Sequence, residues 1–128
     1  MDEKIKFEFM TETEKKTSLL SVLSSWDVIS FSDVQKEFEL QEIEINKDVL
    51  NTSLEELINL KYIDVLFLDF GGCLDPYSWY LSNAGRELFI ELTNFLLSVR
   101  YADIDKPKWF VKAQRNAEFI KNYYNIQK

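Results

Sequence analysis

Hydrophobic positions recur along the chain with two periods, and the switches between them mark out the elements. Residues 5–9, IKFEF, alternate apolar and charged side chains, as a half-buried strand does. From Glu12 to Trp26 the set Leu19, Leu20, Val22, Leu23 and Trp26 repeats at helical spacing and predicts a first helix. Ser32 then opens S-D-V-Q, a capping-box pattern in which Gln35 reaches back to the Ser32 amide. A short second helix is expected there, with Val34 and Phe38 facing inward. Asn46 is the expected N-cap of a third helix, whose Val49, Leu50, Leu54, Leu57 and Ile58 form a single stripe.

The pattern changes at Tyr62. YIDVLFLDF is rich in β-branched and aromatic residues and reads as a strand; GGCLDP supplies turn residues and YSWYL the returning strand, so a hairpin is expected. Ser82 or Asn83 can cap a fourth helix carrying Leu88, Phe89, Leu92, Phe95, Leu96 and Val99. DIDKPK breaks it, since Pro107 disfavours helix in the residue before it. A last helix, about Trp109 to Tyr124, places Trp109, Ala113, Ala117, Ile120 and Tyr124 along one side. The expected class is α+β, mostly helical. Residues 1–102 form the principal unit, and residues 103–128 a basic, aromatic C-terminal helix that joins the same domain or serves dimerisation.

Two stretches carry a family resemblance. LEELINLKYID (54–64) is similar to the exit of the third helix into a strand in winged helix-turn-helix regulators, particularly the MarR- and PadR-like ones. YSWYLSNAGRELFIEL (77–92) is similar to their strand ending in Tyr-x-Leu-Thr, followed by x-x-Gly and an amphipathic helix. Ser82 stands where the family usually has threonine, and Gly85 holds the glycine position. The resemblance covers about residues 12–100. It implies a winged helix-turn-helix with a β-hairpin wing and additional C-terminal helices, and a third helix placed to read DNA.

Charge changes that picture. The net charge is −7, distributed unevenly: residues 1–105 carry 9 basic and 21 acidic side chains, and residues 106–128 six basic ones and a single acid, Glu118. A duplex-binding helix needs donors and cations, because phosphate neutralisation supplies most of the binding energy. The outer face of the third helix instead shows Lys47, Asp48, Asn51, Thr52, Glu55 and Glu56, a sum of −2. The candidate recognition helix is Lys47, Asp48, Asn51, Thr52 and Glu55. The candidate wing, Phe67, Asp69, Phe70, Leu74, Asp75 and Tyr77, contains no Lys or Arg and is apolar for a loop meant to lie in a groove. The tail residues Lys106, Lys108, Trp109, Lys112 and Arg115 interleave cations and rings. That pattern suits single-stranded nucleic acid or a terminal amphipathic helix that docks its aromatics on the domain or on a second subunit, and the helical spacing of Trp109, Ala113, Ala117, Ile120 and Tyr124 favours the docked helix.

Catalytic readings find little to stand on. Histidine is absent, which removes the usual general base and the commonest transition-metal ligand. VLFLDFGGCLD (65–75) resembles the first motif of haloacid-dehalogenase-like phosphatases, which would make Asp69 a nucleophile. Gly71 occupies the place of the second acid, and the residues that follow read as helices without an acidic pair for Mg²⁺. DFG at 69–71 lacks the glycine-rich loop that precedes it in kinases. One cysteine, Cys73, cannot form an internal disulfide.

The chain opens MDEKIKFEF without a basic-then-apolar leader, and no apolar run reaches membrane-spanning length. The expectation is a cytoplasmic, non-enzymatic regulator or inhibitor without metal, cofactor or membrane association. Its partner would be a protein, a second copy included, within or near nucleic-acid-handling machinery. The alternative is a DNA-binding transcriptional regulator using Lys47, Asn51, Thr52 and Lys61 with basic tail residues.

Overall fold

The computed structural model describes residues 4–26, 28–70, 73–102 and 105–126, and for residues 66–70 and 73–77 the backbone only. It is an α+β fold of five α-helices and two small sheets among those residues. β1 (Ile5–Lys6) pairs in parallel with β3 (Ile43–Glu44). IKFEF is therefore only briefly a strand: residues Phe7–Phe9 turn into a 3-10 helix that drives the Phe7 ring into the core, against Phe38 at 5.9 Å.

α1 (Glu12–Ser24) begins at Thr11, whose hydroxyl accepts the Glu14 amide while the Glu14 carboxylate accepts the Thr11 amide. Every residue from Thr17 to Leu23 is buried, so this helix is the axis of the core rather than a one-sided stripe. Its buried Thr17 and Ser18 hydroxyls return to the Thr13 and Lys15 carbonyls at 2.7 and 3.0 Å, which satisfies them inside. The helix ends before Trp26, which lies outside the core.

β2 (Ile29–Ser30) leads directly into α2 (Phe31–Leu40). The N-cap is Ser30, accepting the Asp33 amide at 3.3 Å, and not Ser32. The reason is tertiary: Ile29 and Ser30 pair with Trp79 and Ser78, and the helix starts where that pairing stops. Val34 and Phe38 are buried as expected. α3 (Lys47–Asn59) is capped by Asn46, whose Oδ1 accepts the amides of Asp48 and Val49 at 2.7 and 3.4 Å. Leu50, Leu54 and Leu57 are buried, with Val49 and Ile58 at the margin. It closes with Lys61 at φ 65°, where the Lys61 and Tyr62 amides donate to the Ile58 and Leu57 carbonyls.

The hairpin joins β4 (Ile63–Phe70) to β5 (Cys73–Leu81), and β2 adds to β5 in the order β2-β5-β4, all antiparallel. Cys73, Leu74 and Asp75, expected in the turn, belong to the strand and pair with Phe70, Asp69 and Leu68. The register then slips: Leu66 faces Ser78, so Phe67 opposes both Pro76 and Tyr77. A bulge is where a strand tolerates proline, which has no N–H to give the ladder.

α4 (Asn83–Val99) is joined to the exit of α3 by a backbone clamp. Ser82 caps it by accepting the Gly85 amide at 3.0 Å, and donates its own hydroxyl to the Lys61 carbonyl at 2.7 Å. Gly85 sits so close that a Cβ there would lie 2.0 Å from the Tyr62 carbonyl oxygen, so only glycine fits. The buried side of α4 is Gly85, Phe89, Ile90, Thr93 and Leu96. This corrects the expected stripe: Leu88 and Leu92 are only partly buried, while Phe95 and Val99 are exposed.

α5 (Lys108–Tyr123) packs on α1 and α4 through Trp109, Phe110, Ala113, Ala117 and Ile120. Its Asn116 amide donates to the Ser21 carbonyl at 3.1 Å. Tyr124 falls beyond the helix end and is exposed, outside the buried side assigned to it. No helix among the described residues is long and apolar enough to cross a membrane.

Candidate functional site

Five outer surfaces and one buried cluster are the candidates. On α3, Lys47, Asp48, Asn51, Thr52, Glu55 and Glu56 are all exposed. Lys47 reaches back over the Phe31 ring at 5.9 Å, and the Thr52 hydroxyl donates to the Asp48 carbonyl at 3.0 Å. Asn51 is thus the one neutral side chain of the candidate set with no side-chain hydrogen bond among the described residues. Its immediate surroundings are acidic.

The wing side chains Phe67, Asp69, Phe70, Leu74, Asp75 and Tyr77 lie outside the residues whose side chains are described; their backbones form the hairpin. Among the described residues, no group of three Cys, Asp or Glu side chains converges as metal ligands.

The tail residues divide. Trp109 is 2% exposed and packs edge-on to Phe110 and Tyr101, so burial removes it from any surface. Lys106 is half-buried ahead of α5. Lys108 lies 4.0 Å from Glu42 in an exposed pair that contributes little. On α5, Lys112 is half-buried and Arg115 exposed, with no ion pair for either among the described residues. α5 rests on α1 and α4, whereas α3 packs against β4.

Two surfaces went unnoticed in the sequence. The first is the outer edge of α4, where Leu88, Leu92, Phe95 and Val99 recur at i, i+4, i+7 and i+11, within about 60° of the circumference, beside rather than in the core. The second is a cleft of about 520 Å³ between the ends of α1 and α5, β5 and the start of α4. Trp26, Tyr80, Phe119, Tyr123 and Tyr124 line it with Arg86. The Arg86 guanidinium lies 4.0 Å from the Tyr124 ring centre, held by donation to the Leu81 carbonyl at 2.9 Å and to Asn83 Oδ1. The signal for both was an excess of apolar residues over what one helix face can bury.

The buried cluster ties α1 to the end of α4. Glu14 Oε2 accepts from the Tyr101 hydroxyl and, at 3.1 Å, from Arg100 Nε. Burial pushes the Glu14 carboxyl up, but the hydrogen bonds from Tyr101 and Thr11 and the Arg100 charge outweigh it and hold it below the usual value. Burial and the bond to Glu14 push the Tyr101 hydroxyl up to about 12. The ring of Tyr101 lies 4.5 Å from Phe110, so the same residue anchors α5.

No family model matches the chain, and no curated protein matches it either. Among solved structures it is similar to the crystal structure of the circadian clock associated protein Pex from anabaena. The identity is 12%, over 97% of this chain and 86% of that one, with a TM-score of 0.48.

Proposed function

We propose that the chain is a winged-helix domain of MarR/PadR-like arrangement that acts as a non-catalytic regulator or inhibitor through protein contact. The order of three helices, hairpin and closing helices supports the arrangement, together with the sheet that ties the α1–α2 connection to the hairpin. The observation that carries the contact is the outer edge of α4. Phe95 is 52% and Val99 68% exposed, continuous with Leu88 and Leu92 in one apolar seam. A helix seam at this spacing gains stability by packing against another helix. The first partner to test is a second copy of the chain, with the acidic α3 face left outward.

The alternative, a DNA-binding transcriptional regulator, would use the exposed Lys47, Asn51, Thr52 and Lys61 with tail cations. The acids around them oppose it.

Mass measurement during size-exclusion chromatography separates the two, alongside titration of random-sequence duplex DNA at low and physiological salt. A dimer that Phe95→Glu converts to the 15.2 kDa monomer, with no duplex binding, supports the protein-contact reading. A monomer that binds duplex steeply with falling salt overturns it.

A further inference from the structure

The outward side of α5 is chemically ordered. Residues 108, 112, 115, 119 and 123 fall within about 80° of its circumference, at 100° per residue, away from the buried Ala113, Ala117 and Ile120. Lys108, Lys112 and Arg115 occupy the first half of that side, Phe119 and Tyr123 the second. The two rings stack on each other, 5.7 Å apart with 16° between planes, and are 65% and 71% exposed. They stabilise no core contact that would account for their size. The cleft continues the surface with Trp26, itself 55% exposed, and with the Arg86–Tyr124 pair.

No acidic residue lines the cleft among the described residues, although the chain as a whole carries −7. Among the described residues, Arg86, Lys112 and Arg115 have no carboxylate partner. On α5 itself the one acid, Glu118, stands at the border of the face. Outward ring faces beside cations that have no carboxylate partner fit one ligand chemistry: flat bases joined by phosphates. A duplex hides its base faces and leaves the rings unused. A single strand presents both its bases and its backbone. At 1.5 Å per residue the face runs about 22 Å, long enough for about four nucleotides, the low end of single-strand site sizes.

We infer that the outer face of α5 and the adjoining cleft bind single-stranded nucleic acid. Bases stack on Phe119, Tyr123 and Trp26, and phosphates meet Lys112, Arg115 and Arg86. This surface is separate from the α4 seam, so either assignment can fail without the other.

The structure supplies its own reporter. Of the three tryptophans, Trp79 and Trp109 are 5% and 2% exposed, and Trp26 alone is open to a ligand. Titration with a short oligothymidylate at low salt should quench tryptophan fluorescence. Three phosphate contacts give a log–log salt slope of about −2, so a roughly fourfold rise in salt weakens binding about fifteen-fold. Phe119→Ala and Tyr123→Ala, both at exposed positions and checked for an unchanged circular dichroism spectrum, should each weaken binding about tenfold. Phe95→Glu should bind like the wild type. Absence of quenching at low salt overturns the inference, as does tight binding by both alanine variants. A dimer abolished by those alanine variants, without oligonucleotide binding, would assign the face to a second copy and overturn it equally.

Discussion

α3 and α5 are built alike and finished differently. Each is an amphipathic helix that buries one side, of 13 and 16 residues. The outer side of α3 sums to −2 and bears no ring, whereas the outer side of α5 bears three cations followed by two stacked rings. Element order alone directs attention to the third helix, the one that enters the groove in helix-turn-helix proteins. The chemistry that a nucleic acid requires stands on the last helix instead. Element order thus says only where a resemblance would look, and the outward side chains say what each helix can hold.

The two helices also differ in how they are held, which gives the comparison its sharpest tests. α5 is held by rings: Trp109, Phe110 and Tyr101 pack within 4.5–6.2 Å of one another. Trp109→Ala should remove about 3–5 kcal/mol of stability, read as a lowered denaturation midpoint. Amide protection should be lost first in α5 while α3 stays ordered. Should α3 and α5 lose protection together, the two helices are not held independently.

On the α3 side the hold is backbone against backbone. Gly85→Ala places a methyl into the Tyr62 carbonyl, which cannot yield as a side chain would. The cost should be about 3 kcal/mol, the upper end for overpacking, despite alanine's better helix propensity. Its protection loss should fall on the α3 exit and the start of α4. A stability equal to wild type would mean that the α3–α4 junction is looser than this geometry describes.

Much of this was legible from spacing. The cap of α3 at Asn46, its leucine stripe and the strand that follows need only local information, and so does Ser82 ahead of α4. What escaped depended on partners distant in sequence. Both Ser30 and Ser32 precede a suitable residue at the right distance, and the Ile29–Trp79 pairing chose Ser30. In α4 the apolar residues outnumber one face, and periodicity could not say whether Phe89 or Phe95 would be covered. In the tail, Trp109 has basic neighbours but shares a side with Ala113 and Ala117, as its spacing predicts, and the rings that remain outside are Phe119 and Tyr123. The spacing Arg115–Phe119–Tyr123, opposite those alanines, was the available clue.

The smallest effect separates the two helices by pH. Tyr101 has its hydroxyl pushed up to about 12 from an ordinary 10.0 by burial and by the bond to Glu14. Its protonated form is therefore favoured in the folded state. The stability this contributes is complete below pH 10 and is lost as pH rises towards 12, on the order of 2 kcal/mol. Glu14 behaves oppositely. Its folded pKa lies below 4.5, so its contribution is present above that value and disappears as pH falls through the folded pKa. Denaturation midpoints across both arms should show the two declines, and Tyr101→Phe should flatten the alkaline one. Because Tyr101 packs on Phe110 and Trp109, the alkaline loss of amide protection should appear in α5 before α3. Simultaneous loss would show instead that the cluster supports the whole core equally, and that the independence of α5 ends at its outer face.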